Sequence, residues 1–174
     1  MERRGGRRAR PEGLGGQLSE RTREVLAAAP VPYAHADAQS LVEAVQQEYV
    51  ERYGGPDETP VDGADFDPPA GAFLVGRVDG TLVACGGIRR VDDDTAEIKR
   101  MYVTSAARRQ GVARAMLTRL EQAARDAGYR RLVLESGNAQ PEALALYRSS
   151  GYTPVAPYGF YRCHPEANSL GRML

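Results

Sequence analysis

Cysteine and histidine are scarce in this sequence of 174 residues, which contains two of each. Cys85 and Cys163 are neither spaced as metal ligands nor numerous enough for a disulfide scaffold. We therefore expect no metal site and a reducing, cytoplasmic environment. His35 precedes the first predicted helix and His164 lies in a proline-flanked loop. Both are expected on the surface rather than in the chemistry.

Long apolar runs and two common phosphate-binding motifs are also missing. No run approaches the roughly 18 residues that a membrane-spanning helix needs, so we expect no membrane contact. The basic start, MERRGGRRAR, is not followed by a hydrophobic stretch, so we expect no secretory signal. The chain has no G-x-x-x-x-G-K-[ST], and no G-x-G-x-x-G after a first strand. These absences argue against a P-loop nucleotide site and a dinucleotide-binding fold.

Charge is balanced over the whole chain but not along it. The net charge is zero, with 26% charged and 42% hydrophobic residues, as in an ordinary globular domain. Residues 1–25 carry seven Arg and four Glu, a net +3. We predict a disordered basic tail at 1–25 and a single domain at 26–174. Because the tail lacks interleaved aromatic residues, we expect it to be solvated and not to bind nucleic acid.

Three segments have the spacing of helices. DAQSLVEAVQQEYVERYGG (37–55) carries an apolar stripe, with Asp37 as a capping residue and a glycine pair as the stop. Residues 112–127 form the longest amphipathic pattern, which Gly128 ends. QPEALALYRSSG (140–151) has proline in a first-turn position and glycine as a C-cap.

Other segments favour strands. GAFLVGRVDGTLVACGGIRRV (71–91) contains two β-rich runs around Asp-Gly, a strong hairpin signal, and AEIKRMYV (96–103) follows as a third strand. RRLVLES (130–136) is a fourth, GYTPV and SLGRML are weaker candidates, and the acidic, proline-rich 56–70 is a loop. The pattern predicts a mixed α/β fold in which 96–103 and 130–136 are parallel neighbours joined by a right-handed crossover.

The stretch RRQGVARAM (108–116) lies between the third strand and the longest helix. The first turn of a helix has unpartnered N–H groups and a partial positive charge. Gly111 permits a sharp turn and lets a ligand approach the backbone closely, and the arginines add positive charge. The stretch is either a cradle for a phosphate-sized anion or a plain loop-to-helix junction with surface arginines.

Three stretches together resemble the GNAT family of N-acetyltransferases. The spacing Arg108-x-x-Gly111-x-Ala113 resembles the [QR]-x-x-G-x-[GA] loop that holds the pyrophosphate of acetyl-CoA in that family. EIKRMYV resembles the strand that leads into this loop. LESGNAQPEALALYRSSGYTPV resembles the family's fifth strand, fourth helix and L-Y-x-x-x-G-[FY] signature. The resemblance covers residues 71–158 well.

This resemblance implies the GNAT acyl-CoA N-acyltransferase fold, which is a central, mostly antiparallel sheet with a splayed parallel pair, flanked by helices. It implies acetyl-CoA as co-substrate and no metal. It places Met101, Tyr102 and Val103 at the pantetheine arm and the acetyl carbonyl through main-chain groups, a role compatible with plain strand packing. Asn138 is implied as a further pantetheine contact. The implied pyrophosphate loop consists of Arg108, Arg109, Gln110, Gly111, Val112, Ala113 and Arg114.

Two residues are implied in the chemistry itself. Tyr147, in ALYRSSGY, matches the tyrosine that protonates the departing CoA thiolate; packing or a hydrogen bond to the CoA sulfur is the alternative. Glu97, in the A-E-I start of its strand, matches the glutamate that accepts the amine's proton in histone-type members. An ion pair with Arg89 or Arg90 across the hairpin is the other role open to Glu97.

The resemblance predicts an N-acetyltransferase that moves the acetyl group of acetyl-CoA to a primary amine by direct attack in a ternary complex. A non-catalytic, CoA-binding regulatory module on the same fold is the alternative. The expected acceptor is a small-molecule or protein amine. Acidic residues in 54–70, with Tyr158, Phe160 and Tyr161, favour a cationic one. The sequence is compatible with a homodimer as well as with a monomer.

Overall fold

Residues 26–174 are described by a computed structural model, and within them lie seven strands and three α-helices. The predicted basic tail at 1–25 lies outside the described residues. The strands are β1 (Ala27–Pro30), β2 (Ala72–Val78), β3 (Thr81–Arg90), β4 (Thr95–Val103), β5 (Arg131–Gly137), β6 (Thr153–Pro154) and β7 (Ala167–Met173). The helices are α1 (Ala36–Tyr53), α2 (Val112–Asp126) and α3 (Pro141–Ser149). No helix within 26–174 is long and apolar enough to cross a membrane.

All seven strands form one sheet, in the order β1-β2-β3-β4-β5-β7-β6. Neighbouring strands are antiparallel except β4 and β5, which run parallel, as the crossover through α2 predicts. The parallel pairing joins only 95–97 to 131–133, so the two strands separate toward their carboxyl ends. The predicted mixed α/β fold with a splayed parallel pair is therefore confirmed.

Local irregularities shape the middle of the sheet. The β2–β3 hairpin turns at Asp79 (φ 48°) and Gly80 (φ 78°), two left-handed residues that suit a two-residue turn between twisted strands. The register between β3 and β4 shifts between Cys85 and Gly87, and Arg100 on β4 has a φ of 55°. This bulge redirects the second half of β4, where that strand leaves β5.

The start of α1 differs from the prediction, because Asp37 is not its cap. His35 occupies the N-cap position, and its Nδ1 accepts a hydrogen bond from the N–H of Asp37 at 3.1 Å. Asp37 lies in the first helical turn, where its carboxylate binds Arg77 at 2.6 Å. The sequence favoured Asp37 because aspartate is a commoner cap than histidine, although an imidazole nitrogen accepts the same bond. At the other end, Gly54 adopts a φ of 79° and stops the helix as predicted.

The acidic segment 56–70 is not wholly irregular, because it contains a 3₁₀ turn at Gly63–Phe66. The Oδ1 atom of Asp62 caps this turn by accepting the N–H of Ala64 at 3.0 Å. The turn buries Phe66, whose ring centroid lies 5.4 Å from that of Phe73. Burial of one aromatic side chain thus anchors the segment that the sequence predicted to be a loop.

Apolar clusters cover both faces of the sheet. Successive residues of a strand point to opposite faces, and on β2 Leu74 shares a cluster with α2 whereas Phe73 and Val75 share one with α1. The predicted ends of α2 and α3 are confirmed to within two residues. The two longest helices therefore pack against opposite faces of the sheet.

Candidate active site

A cleft of about 450 Å³ opens where β4 and β5 separate. Its walls come from the end of α1 with the adjoining 54–58, from the second halves of β4 and β5, from α3, and from the loop before β7. Of the residues predicted for the site, Met101 and Tyr147 line this cleft. The fold thus places Met101, predicted to act through its main chain, and Tyr147, predicted to act through its side chain, in the same cleft.

Tyr147 projects from α3 toward β4. Its hydroxyl lies 3.6 Å from the sulfur of Met101, and its ring packs edge-on against Tyr152 with centroids 5.7 Å apart. Burial raises the pKa of the Tyr147 phenol well above its ordinary value. The hydroxyl therefore stays protonated throughout the neutral range, as a proton donor must.

The backbone of β4 changes its partners along its length. Tyr102 and Val103 pair with β3 opposite Cys85 and Ala84, so one edge of the strand is filled. Within the described residues, β4 has no β5 partner beyond Glu97, so its other edge is free there. The edge that faces β5 can therefore accept an extended ligand as if it were another strand. Predicted main-chain roles at 101–103 fit this edge.

The start of α2 has the backbone geometry of an anion site. Arg109 has a φ of 61°, and Gly111, the N-cap, has a φ of 83° and a ψ of −4°. Among the hydrogen bonds of the described residues, none gives an acceptor to the N–H groups of 111–114. Four donors at the positive end of a helix are thus available to a phosphate group.

The arginines around this turn are only partly free to meet a ligand. The Nε of Arg108 donates to the carbonyl of Val103 at 3.0 Å, and its guanidinium also pairs with Glu48 on α1. Arg114 donates to Ser149 and Ser150, at 2.7 and 3.1 Å, and so ties α2 to the end of α3. Arg109 and Gln110 are exposed, and Val112 and Ala113 form the first turn of α2.

Glu97 occupies the position that the ion-pair alternative predicted. It is 3% exposed and lies outside the cleft lining, with Arg89 Nε 2.9 Å from its Oε2 and Lys99 Nζ 3.1 Å from its Oε1. Arg90 pairs instead with Asp93. The base role implied for Glu97 stays a prediction, and the contacts of Glu97 are those of a structural ion pair.

Asn138 lies just beyond the cleft, between two residues that line it. It is exposed, its Oδ1 accepts a hydrogen bond from Asn168 Nδ2 at 2.9 Å, and its N–H donates to the carbonyl of Glu166 at 2.9 Å. Gly137 and Gln140 contribute to the lining instead. The contact between Asn138 and pantetheine therefore stays a prediction.

Sequence reasoning missed the polar end of the cleft. Asp57 pairs there with Arg100, and the hydroxyl of Tyr161 donates to Asp57 Oδ1 at 3.0 Å and accepts the N–H of Glu58 at 2.9 Å. Burial alone would raise the pKa of Asp57, but Arg100 and the bonds from Thr59 outweigh it and lower that pKa. Asp57 and Tyr161 were singled out by charge and aromaticity, whereas nothing in the sequence indicated their contact.

The sequence of this chain is similar to those of known acetyltransferases. Residues 39–152 match the Acetyltransferase (GNAT) family. An IAA acetyltransferase of Azospirillum brasilense is 42% identical over 94 residues, which cover 53% of this chain and 61% of that protein. The chain thus spans less than two thirds of the length of this relative.

Solved structures extend the likeness over most of the chain. A protein of Klebsiella pneumoniae assigned to the acyl-CoA N-acyltransferases has a TM-score of 0.73 and 25% identity, covering 86% of this chain and 97% of that one. A GNAT family acetyltransferase of Elizabethkingia anophelis, with acetyl-CoA bound, has a TM-score of 0.64 and 18% identity, covering 87% and 99%. The latter likeness shows the fold alone.

Proposed function

The chain belongs to the GNAT family of acetyltransferases, and from that premise we propose that it transfers the acetyl group of acetyl-CoA to a primary amine within a ternary complex. Acetyl-CoA supplies a thioester carbonyl that an amine can attack. The observation that carries the proposal is the Tyr147 hydroxyl, 3.6 Å from the Met101 sulfur, in the cleft where β4 and β5 separate.

The start of α2 supports acetyl-CoA as the donor. The N–H groups at 111–114 have no acceptor among the described residues, and Gly111 has no Cβ that could hinder a ligand's approach to the backbone. A diphosphate bound there would meet both these donors and the positive end of the helix. The free edge of β4 beyond Glu97 would then hold the pantetheine arm as a strand holds its neighbour.

Tyr147 would supply a proton to the departing sulfur from its Oη. A phenol near pKa 10 is a weaker acid than a thiol near 8.5, so in water this transfer is uphill by about 2 kcal/mol. Burial raises the pKa of Tyr147 further, but the same cleft would desolvate a thiolate and raise the pKa of its conjugate acid too. The transfer then depends on position, which α3 provides by holding the hydroxyl toward β4.

The charge of the cleft favours a cationic acceptor. Its lining contains more carboxylates than cations: Asp57, Glu58, Glu135 and Glu166 against Lys99 and Arg100. Such an excess attracts an ammonium group and disfavours an anionic substrate. A cleft of about 450 Å³ suits a small-molecule amine, or the end of a protein side chain carrying one.

The test is an assay of CoA release, read by mass or chromatography, with acetyl-CoA and a panel of cationic, neutral and anionic amines. We expect turnover with a cationic amine, and a loss of roughly ten- to a thousandfold in kcat for Tyr147→Phe at unchanged CoA affinity. Tyr33→Phe is the matched control, because Tyr33 lies outside the cleft lining and packs with Phe66 and Phe73.

Two results would contradict this proposal. If the wild-type chain binds acetyl-CoA but releases no CoA with any amine, the regulatory-module alternative is correct. If Tyr147→Phe retains the rate of Tyr33→Phe, the acid role of Tyr147 is wrong and only a packing role remains.

A further inference from the structure

Two residues that line the cleft, Arg100 and Glu135, carry buried polar atoms without a hydrogen-bond partner. Within 26–174, the buried side-chain atoms without a hydrogen-bond partner are Thr59 Oγ1, Glu97 Oε1, Arg100 Nε, both carboxylate oxygens of Glu135 and the hydroxyl of Tyr158. Buried polar groups in native proteins almost always have partners, so an unpartnered buried group in the wall of a cleft calls for a missing partner. Glu135 is the residue with the most such atoms, because both of its carboxylate oxygens lack a hydrogen-bond partner.

Glu135 lies on β5 and lines the cleft. Its side chain is 4% exposed, and neither oxygen has a hydrogen bond of standard geometry among the described residues, although the N–H of Tyr161 lies nearby. The Nζ of Lys99 is 3.8 Å from its Oε2 but lies closer, at 3.1 Å, to Glu97, to which it is attracted without hydrogen-bond alignment. Glu135 therefore has no cation of its own, whereas Glu97 has both Lys99 and Arg89.

The groups around Glu135 do not neutralise it. Glu97 and Lys99 face it from β4 and Asp57 from the loop after α1; Tyr158 and Tyr161 approach from the loop before β7. Burial is the main cause that raises the pKa of the Glu135 carboxyl, and the charges of Glu97 and Asp57 add to it. Lys99 and the N–H of Tyr161 oppose the rise without cancelling it. A buried carboxylate in this state is destabilising unless a ligand completes it.

The loop before β7 packs closely against this carboxylate. At Gly159, which has a φ of 71°, a Cβ would lie 3.0 Å from Oε2 of Glu135. A side chain at position 159 would therefore crowd the oxygen. Glycine there lets the loop lie against Glu135 without displacing its carboxylate from the cleft wall.

We propose that Glu135 binds the ammonium group of the acceptor and then takes one of its protons. The inference rests on the proposed acetyl transfer and assigns its acceptor end. An amine of pKa near 10.4 is neutral in only about one molecule in 10³ at pH 7.4, so a proton must be removed before attack. Glu135 is the carboxylate that lines the cleft with both oxygens buried and without a hydrogen-bond partner.

The proposed step balances as follows. One N–H proton of the ammonium moves to a Glu135 oxygen, which leaves the electron pair of that bond on nitrogen. The nitrogen forms a bond to the acetyl carbon as the carbon–sulfur bond breaks, and the pair of that bond departs with sulfur. Sulfur takes the Tyr147 proton, and a second proton from nitrogen restores Tyr147. Glu135 then releases its proton to water.

The test compares Glu135→Gln with wild type in steady-state kinetics. We expect kcat/KM for the amine to fall 10- to 1,000-fold while KM for acetyl-CoA stays within about threefold. The acid limb of the wild-type pH profile should be lost with the carboxylate. Glu135→Asp, which keeps the charge one methylene away, should restore part of the activity. Glu51→Gln, an exposed carboxylate on α1 outside the lining, should match wild type.

Competing outcomes separate this inference from the acetyl transfer on which it rests. A wild type that turns over no amine contradicts the transfer. An active wild type whose Glu135→Gln variant keeps its kcat/KM contradicts only the role of Glu135, and a loss confined to Glu97→Gln moves that role to Glu97. Should Glu135→Gln fail to fold, inhibition of wild type and of Glu135→Asp decides the matter. An alkylammonium should then inhibit wild type at least tenfold better than the alcohol of the same shape, and this preference should fall in Glu135→Asp; a preference that Glu135→Asp leaves unchanged overturns the proposal.

Discussion

The substitution Gly111→Ala puts a Cβ on a residue with a φ of 83° and a ψ of −4°. This left-handed conformation costs a non-glycine residue about 1–2 kcal/mol. In a folded unit of about 150 residues each kcal/mol lowers the melting temperature by about 2–4 °C, so we expect a fall of about 2–8 °C. That loss comes from the backbone alone and says nothing about a ligand.

The same substitution should also weaken acetyl-CoA binding. The N–H groups at 111–114 are donors without acceptors in the described part of the chain, and the new Cβ stands beside them. A hydrogen bond to a charged group contributes about 1.5–3 kcal/mol, so denying one to the diphosphate should raise Kd about 10- to 150-fold. Calorimetric titration with acetyl-CoA measures this directly.

Gly128→Ala is the control, because it makes the same backbone change at the other end of α2. Gly128 has a φ of 91°, and no atom lies within 4 Å of a Cβ built there. We expect a similar fall in melting temperature with an unchanged Kd. Equal Kd values for the two variants would refute the assignment of the diphosphate to Gly111, whatever their stabilities.

Three other substitutions test packing and charge. Gly87→Ala puts a Cβ 2.5 Å from a Phe66 ring atom, and we expect a loss of about 1–3 kcal/mol in urea unfolding; a neutral result would mean that the ring moves freely. Arg172→Ala removes a cation 2.9 Å from buried Glu121. Because Arg172 is 34% exposed, we expect the free energy of unfolding to fall by only about 1–2 kcal/mol. No change would mean that solvent screens the pair. Glu135→Gln should melt above wild type at pH 7, with the difference shrinking toward pH 4. The raised pKa of Glu135 makes native stability fall as pH rises from 4.5 through the folded-state value, and a difference independent of pH would contradict this.

Elements that depend on local physics were predictable. The ends of α2 are marked by Gly111 and Gly128, both left-handed in the structure, and the apolar period between them is a local signal. The β2–β3 turn at Asp79 and Gly80 is equally local. By contrast, Ala27–Pro30 has no alternating pattern and becomes β1 only through pairing with the edge of β2, which the sequence of those four residues does not encode.

The candidate site divides in the same way. Tyr147 and the loop around Gly111 each belong to a short sequence motif, so a resemblance to a family was enough to predict their roles. The ion pair between Glu97 and Arg89 was one of two roles that the sequence allowed for Glu97. The predicted hairpin between β3 and β4 brings the two residues opposite each other. Glu135 was missed because its surroundings are formed by Lys99, Asp57 and the loop before β7, which are distant in sequence and come together only in the folded chain.

Lys99, held between two carboxylates, is the only lysine in a chain with 22 arginines. Guanidinium groups keep their proton at neutral pH and do not attack thioesters, so the surface carries its positive charge in a form that acetyl transfer leaves alone. Any acetyl group found on a side-chain amine of this protein would have to lie on Lys99, inside the cleft. If the proposed acetyl transfer to amines is correct, a surface whose positive charges are all arginine is protected from that reaction.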